Sequence, residues 1–257
     1  MVNVARVLRG ARYVPLLASG CLGLLLSSCA SERNIDSERK MSNPGGAQKT
    51  SGAVAVGVKQ PKSLRTPVVI FFGTSLTAGA GLDQSQAFPA LIEKMAAAEG
   101  TPIKAVNAGL SGETSAGALR RIAWVLRTPA DAIVIETGAN DALRGLDPDS
   151  ARSNIAQVIA AVRKAQPMAK IVLVGMEAPP NYGLAYTRRF RGVYSGVAKE
   201  ARIPLVPFLL DGVAGVARLN QPDGVHPNAA GAKIVAANIW KSISPLVAEL
   251  DRGGDEG

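Results

Sequence analysis

From Pro67 onward, short runs of β-branched and aromatic residues alternate with longer stretches whose apolar positions recur every three or four residues. Residues 68–72 (VVIFF), ended by Gly73, have the continuous apolar character of a strand buried on both faces. Residues 104–107, 132–136 (AIVIE), 171–174 and 205–209 read as four further strands. The intervening stretches carry helical periodicity. Residues 88–99 stop at Gly100, and residues 114–127 bear a stripe of Leu119, Ile122, Ala123 and Leu126. Residues 149–166 run from a cap near Asp149 or Ser150 to Pro167. Residues 186–201 form another helix, and residues 228–250 a last one, kinked or broken at Pro245. Five strands alternating with helices predict an α/β fold, a three-layer, doubly wound, five-stranded parallel sheet with helices on both faces. A domain of this size buries roughly 70% of its unfolded surface, enough for one core. Ligands of such sheets bind beyond the carboxyl ends of the strands, so the informative residues should follow each run.

The first 66 residues keep neither period. Arg6, Arg9 and Arg12 precede an apolar run over residues 14–26, and small residues follow, which is the layout of a secretory signal. That run of about 13 residues is short of the ~20 that a spanning helix needs. Leu26-Ser27-Ser28-Cys29 resembles the lipobox of bacterial lipoproteins, which implies that residues 1–28 are removed and Cys29 is acylated. Cys21 is a weaker candidate, and an ordinary signal, cleaved or uncleaved, is the other reading. Residues 29–66, rich in Ser, Gly, Asn, Lys and Gln, read as a lipidated start and flexible tether, and residues 251–257 as a disordered tail. The expectation is an exported bacterial lipoprotein held on an envelope membrane, at the outer membrane or the periplasmic face.

Composition narrows the chemistry. With 257 residues and 47% hydrophobic content, disorder of the whole chain is excluded. Two Cys and one His exclude a disulfide scaffold, a zinc finger and a multi-histidine metal centre. The net charge of +9 is concentrated at the front: three Arg and no acids in the signal, then seven Lys/Arg against three acids up to residue 66. From Pro67 on, 19 basic residues face 17 acidic ones, so the basic surplus suits anionic headgroups near a membrane. Arg120-Arg121 and Arg188-Arg189 read as solvated helix faces. With no basic stripe interleaved with aromatics, nucleic acid is not an expected partner.

Four strand ends carry polar or glycine-rich segments. They are Gly73-Thr74-Ser75-Leu76-Thr77, Asn107-Ala108-Gly109-Leu110-Ser111-Gly112-Glu113-Thr114, Gly138-Ala139-Asn140-Asp141 and, after a loop, Asp223-Gly224-Val225-His226-Pro227. Together they resemble the four blocks of the GDSL or SGNH hydrolase family, and within it the thioesterase I, lysophospholipase and arylesterase group. The resemblance spans residues 67–250 in the family's order. It implies the flavodoxin-like SGNH hydrolase fold, hydrolysis of carboxylic esters or thioesters through an acyl-enzyme, and no cofactor or metal. Each block has a chemical reason. A serine hydroxyl needs a base, which gives Ser75 as nucleophile and His226, the sole imidazole, as base. Asp223, three residues earlier, can orient that ring from one local turn. By resemblance, the oxyanion donors are the backbone N–H groups of Ser75 and Gly112 and the side-chain amide of Asn140.

Taken singly, Gly73 and Gly112 fit turn glycines, Asn140-Asp141 fits a helix N-cap, and Asp-x-x-His before Pro fits a capped turn. Their gathering at one sheet edge is what those readings leave unexplained. One position departs from the family: Thr74 stands where the name-giving block has Asp. That aspartate is not the triad carboxylate, so the departure bears on loop geometry and local charge rather than on the triad. No Gly-x-Ser-x-Gly elbow occurs, which argues against an α/β-hydrolase. Leu143-Arg144-Gly145 and Pro180-Asn181-Tyr182-Gly183 resemble loops bordering an acyl pocket, with Leu143 and Tyr182 as substrate-contacting candidates. They favour a single-chain acyl ester, a lysophospholipid among them, over a sugar acetate. Two other readings stay open: a carbohydrate or peptidoglycan O-acetylesterase on the same scaffold, and a non-catalytic envelope lipoprotein. A monomer that meets the membrane through its anchor is expected.

Overall fold

The computed structural model describes residues 65–252; the expected signal, the Cys29 lipidation site, the tether up to residue 64 and residues 253–257 lie outside them. The apolar run after Pro67 becomes strand β1 (Val68–Gly73), with every residue after the first buried. A one-turn helix, α1 (Ser75–Ala78), follows, and then α2 (Phe88–Ala98). Strand β2 (Lys104–Gly109) leads to α3 (Ser115–Val125), and β3 (Ala132–Glu136) to α4 (Ala139–Leu143) and α5 (Pro148–Ala165). Strand β4 (Lys170–Val174), α6 (Gly183–Ala201), β5 (Leu205–Val206) and α7 (Ala229–Arg252) complete the order.

All strand pairs are parallel, in the order β2-β1-β3-β4-β5, so the five-stranded α/β sheet is as its residues predict. Helices α2 and α7 pack together, while α3, α5 and α6 form a second row. Apolar side chains such as Phe71, Ile133, Leu173, Ile155 and Ile239 fill the space between sheet and helices. This arrangement puts the polar segments after β1, β2, β3 and β5 at one edge.

Several boundaries differ from the sequence reading for physical reasons. Strand β5 stops at Val206 because Pro207 has no N–H to continue the ladder. Asp147, not Asp149 or Ser150, caps α5, accepting from the Ser150 N–H at 3.0 Å while Pro148 takes the first helical turn. Helix α7 runs unbroken through Pro245 and on to Asp251 and Arg252, past the start expected for the tail. Lys241 and Pro245 are both exposed, so water can satisfy the carbonyl that Pro245 leaves without a donor. Among the described residues, no helix is long and apolar enough to cross a membrane.

Candidate active site

Strand β1 delivers Ser75 to the sheet edge as the first residue of α1, with Thr74 as its N-cap. Across the edge, the turn between β5 and α7 presents Asp223 and His226. Asp223 Oδ1 accepts the backbone N–H groups of Val225 (2.9 Å) and His226 (3.0 Å), which folds the Asp-x-x-His segment into a tight loop. Its other oxygen lies 2.7 Å from His226 Nδ1, and His226 Nε2 lies 2.8 Å from Ser75 Oγ. The His226 backbone N–H, then its ring, then the Val225 N–H hold the Asp223 carboxyl at a pKa of about 2. A Gln221 clamp secures the loop: its backbone N–H donates to the His226 carbonyl (2.7 Å), and its side chain donates to Ala80 O (2.6 Å), just beyond α1.

The segments after β2 and β3 close the other side. Ser75, Ser111, Gly112, Asn140, Leu143 and His226 line a cavity of about 250 Å³. Gly112 has φ +77°, a conformation that side-chain-bearing residues rarely adopt. The Asn140 amide donates one N–H to Glu113 O at 3.0 Å, which leaves its second N–H for a ligand. Asp141 accepts the N–H (2.8 Å) and hydroxyl (2.6 Å) of Ser115, locking α4 to the start of α3. Ser75, His226, Gly112 and Asn140 therefore meet around one small volume, with Asp223 held against the His226 ring.

Arg121 overturns its reading as part of a solvated helix face. Its side chain is only 18% exposed and makes two bonds to the Glu113 carboxylate, at 2.8 and 2.7 Å. It also reaches Gly73 O at 3.3 Å and lies over the Phe72 ring at 4.4 Å. One guanidinium thus ties the loop carrying Ser75 to the residue whose carbonyl holds Asn140. Arg188 and Arg189 are exposed as expected, Arg189 pairing with Asp147 and Asp149.

Glu136, read only as the end of a strand, is a second functional candidate. It is buried and accepts the Thr74 N–H (2.8 Å), the Thr74 hydroxyl (2.9 and 3.0 Å to its two oxygens) and the Thr77 hydroxyl (2.8 Å). Burial pushes its carboxyl above the usual range, and those donors only partly offset the effect. Gly73 makes the approach possible, since a Cβ there would lie 2.0 Å from the Thr77 hydroxyl and 2.6 Å from Glu136. The Thr74 departure thus puts a hydroxyl donor, rather than a second carboxyl, against a buried carboxylate. The signal available was a Glu closing an otherwise apolar buried strand.

A larger cavity of about 580 Å³ shares Leu76, Ala139, Leu143 and Val225 with the first and extends past Met176, Tyr182 and Phe208. Leu143 and Tyr182 meet there, the Tyr182 hydroxyl donating to Leu143 O at 2.8 Å. Among the described residues, no group of His, Cys, Asp and Glu gathers as a metal site would. The arrangement can move a proton from a serine to an imidazole beside an apolar trough.

Residues 71–234 match the GDSL-like Lipase/Acylhydrolase family. The chain is 41% identical over 199 residues to esterase TesA of Pseudomonas aeruginosa, spanning 77% of this chain and 97% of that one. It is 33% identical over 180 residues to thioesterase 1/protease 1/lysophospholipase L1 of Escherichia coli, covering 70% of this chain and 84% of the relative. The crystal structure of AlinE4, an SGNH-hydrolase family esterase, superposes with a TM-score of 0.60 at 38% identity over 72% of this chain and 97% of that one. With fold, motif order and relatives in agreement, the chain belongs to the GDSL-like lipase/acylhydrolase family and is a serine ester hydrolase of the SGNH type.

Proposed function

We propose that Ser75 is the nucleophile, His226 the general base and Asp223 its orienting carboxylate in hydrolysis of single-chain acyl esters. The observation that carries this is the relay Ser75 Oγ–His226 Nε2 at 2.8 Å and His226 Nδ1–Asp223 Oδ2 at 2.7 Å. In the first step, Ser75 Oγ bonds to the ester carbonyl carbon as its proton passes to His226 Nε2. The carbonyl oxygen becomes an oxyanion facing the N–H groups of Ser75 and Gly112 and the free N–H of Asn140. Collapse breaks the bond to the alcohol, which leaves with the proton from His226. Water then repeats the sequence on the acyl-Ser75 ester and releases the fatty acid.

The 580 Å³ trough beside Leu143 and Tyr182 favours acyl chains well beyond acetate, and lysophospholipids suit it as donors. The thioesterase and lysophospholipase named among the relatives support the same class. Acylation of Cys29, with residues 29–66 as tether, would place the enzyme on an envelope membrane as a monomer. The test is hydrolysis of nitrophenyl esters of graded length by the full chain, with phosphonate labelling mapped by mass. Labelling at Ser75, lost in His226→Ala, with butyrate to octanoate preferred, is expected. Turnover of acetate and acetylated glycan alone would overturn the substrate class, and labelling elsewhere the mechanism.

A further inference from the structure

Eight large apolar side chains are conspicuously exposed among the described residues, and their placement is uneven. Leu110, Leu143, Leu146, Tyr182, Leu184 and Val225 all lie in segments that follow the carboxyl ends of strands β2 to β5. Only Trp124 and Met168 lie elsewhere. Three of the six, Leu143, Tyr182 and Val225, line the large cavity, so the exposed apolar surface runs into the trough where an acyl chain would lie. The other three, Leu110, Leu146 and Leu184, line neither cavity that meets at Leu143, and Leu184 is 71% exposed. Six exposed apolar side chains in the segments at the sheet edge that carries the catalytic mouth are features of an interaction surface.

The charges of this rim suit one partner. Three acids nearby are taken, Asp147 and Asp149 by Arg189 and Glu177 by Arg191, while the exposed Asp211, next to the trough residue Leu210, forms no ion pair among the described residues. Arg188, one turn along α6 from Leu184 and so on the same face, forms no ion pair or hydrogen bond among the described residues. Arg144, also exposed, gives one nitrogen to Gly112 O and keeps other donors free. Leucines to enter an acyl layer, with free guanidinium donors at the level of phosphates, are the features of a surface that lies on phospholipid. We propose that the mouth of the active site docks on an anionic phospholipid surface through Leu110, Leu146 and Leu184, with Arg188 and Arg144 on the headgroups. An acyl chain then passes from the bilayer into the trough without crossing water. This rests on the ester-hydrolase reading of the site above.

The test compares the full chain with a Leu110→Asp/Leu184→Asp variant, Arg188→Gln and Met168→Asp. Each acts on water-soluble nitrophenyl butyrate and on a long-chain lysophospholipid carried in vesicles of phosphatidylcholine with phosphatidylglycerol. All share the same first 66 residues, so differences between them report the rim. The double variant should keep wild-type turnover of the butyrate and lose at least ~10-fold on the vesicles, since two apolar insertions become charged. Arg188→Gln should lose part of the rate gained by adding phosphatidylglycerol to pure phosphatidylcholine, Arg144 and the basic first 66 residues keeping the rest, and Met168→Asp should match the parent throughout. Three results would overturn the docking face. They are vesicle turnover retained by the double variant, equal loss on both substrates, or a parent dimer in sedimentation that Leu184→Asp converts to monomer. If the parent hydrolyses no butyrate and is not labelled at Ser75, the reading of the site fails instead.

Discussion

Replacing Thr74 by Asp restores the family's own residue and should destabilise this protein in a pH-dependent way. The Thr74 hydroxyl lies 2.9 and 3.0 Å from the two oxygens of Glu136, in a fully buried setting. A second carboxylate at that place sits ~4 Å from the first, and at an effective dielectric of ~20 the repulsion is about 4 kcal/mol. The pair can escape it by binding one proton, and the protonated member then donates much as the threonine hydroxyl does. That proton is lost on unfolding, where a free Asp titrates near ~3.9. The added carboxyl therefore has a raised folded-state pKa. Its neutral, bonded form is intact below ~3.9, and stability falls as pH rises above that value. The slope approaches ~1.4 kcal/mol per pH unit where Glu136 of the parent is ionised, and the cost levels off at the repulsion limit of ~4 kcal/mol. Urea unfolding of parent and variant across this range measures the difference, and Thr74→Asn, which adds no charge, should show a flat offset. A penalty for Thr74→Asp that does not change with pH would refute the reasoning, because it would mean that no proton is shared.

Asn140→Ala should lower kcat by roughly 10²–10³ with KM little changed, as steady-state kinetics on a nitrophenyl ester will show; a change confined to KM would make Asn140 a binding residue. Arg121→Met leaves the buried Glu113 carboxylate unpaired and should cost about 3 kcal/mol in urea unfolding, partly recovered by adding Glu113→Gln. In the same variant kcat should fall ~10-fold or more, since Glu113 no longer holds the Asn140 amide in place. Asp223, with its pKa at about 2, keeps its contacts above the ordinary carboxylate range and loses them only as pH falls from about 4 toward 2. Asp223→Asn should therefore reduce kcat, by analogy ~10⁴-fold, across the whole neutral range, and a penalty that disappears at mildly acid pH would count against its role.

The parts of the site that could be read from the residues are those whose chemistry admits few authors. One imidazole in 257 residues, with a carboxylate three positions before it, leaves little choice of base. The strands were legible because a parallel sheet buries them on both faces, so their apolar runs are continuous. Short elements escaped: α1 and α4 have four and five residues, too few for a helical period to show. Glu136 escaped because its partners, Thr74 and Thr77, come from a different strand end about 60 positions earlier, and only the β1–β3 pairing brings them to it. Arg121 escaped for a similar reason. A pair of arginines on a helix looks solvated until the loop holding Glu113 folds back over it.

The Ser75–His226 contact joins residues 151 positions apart, one from the first helix and one from the turn that precedes the last. Helix α7 is also the partner of α2, and Trp240 Nε1 donates to Glu99 Oε1 at 2.6 Å between them. A growing chain therefore carries the proposed nucleophile Ser75 for most of its synthesis without the proposed base His226, and α2 without its neighbour α7. Such long-range closure is slow to form, and it completes only when the final helix docks. The enzyme is thus latent by topology: no fragment ending before residue 226 can hydrolyse an ester by this route. The onset of turnover during synthesis or refolding would report arrival of the last element, not formation of the sheet.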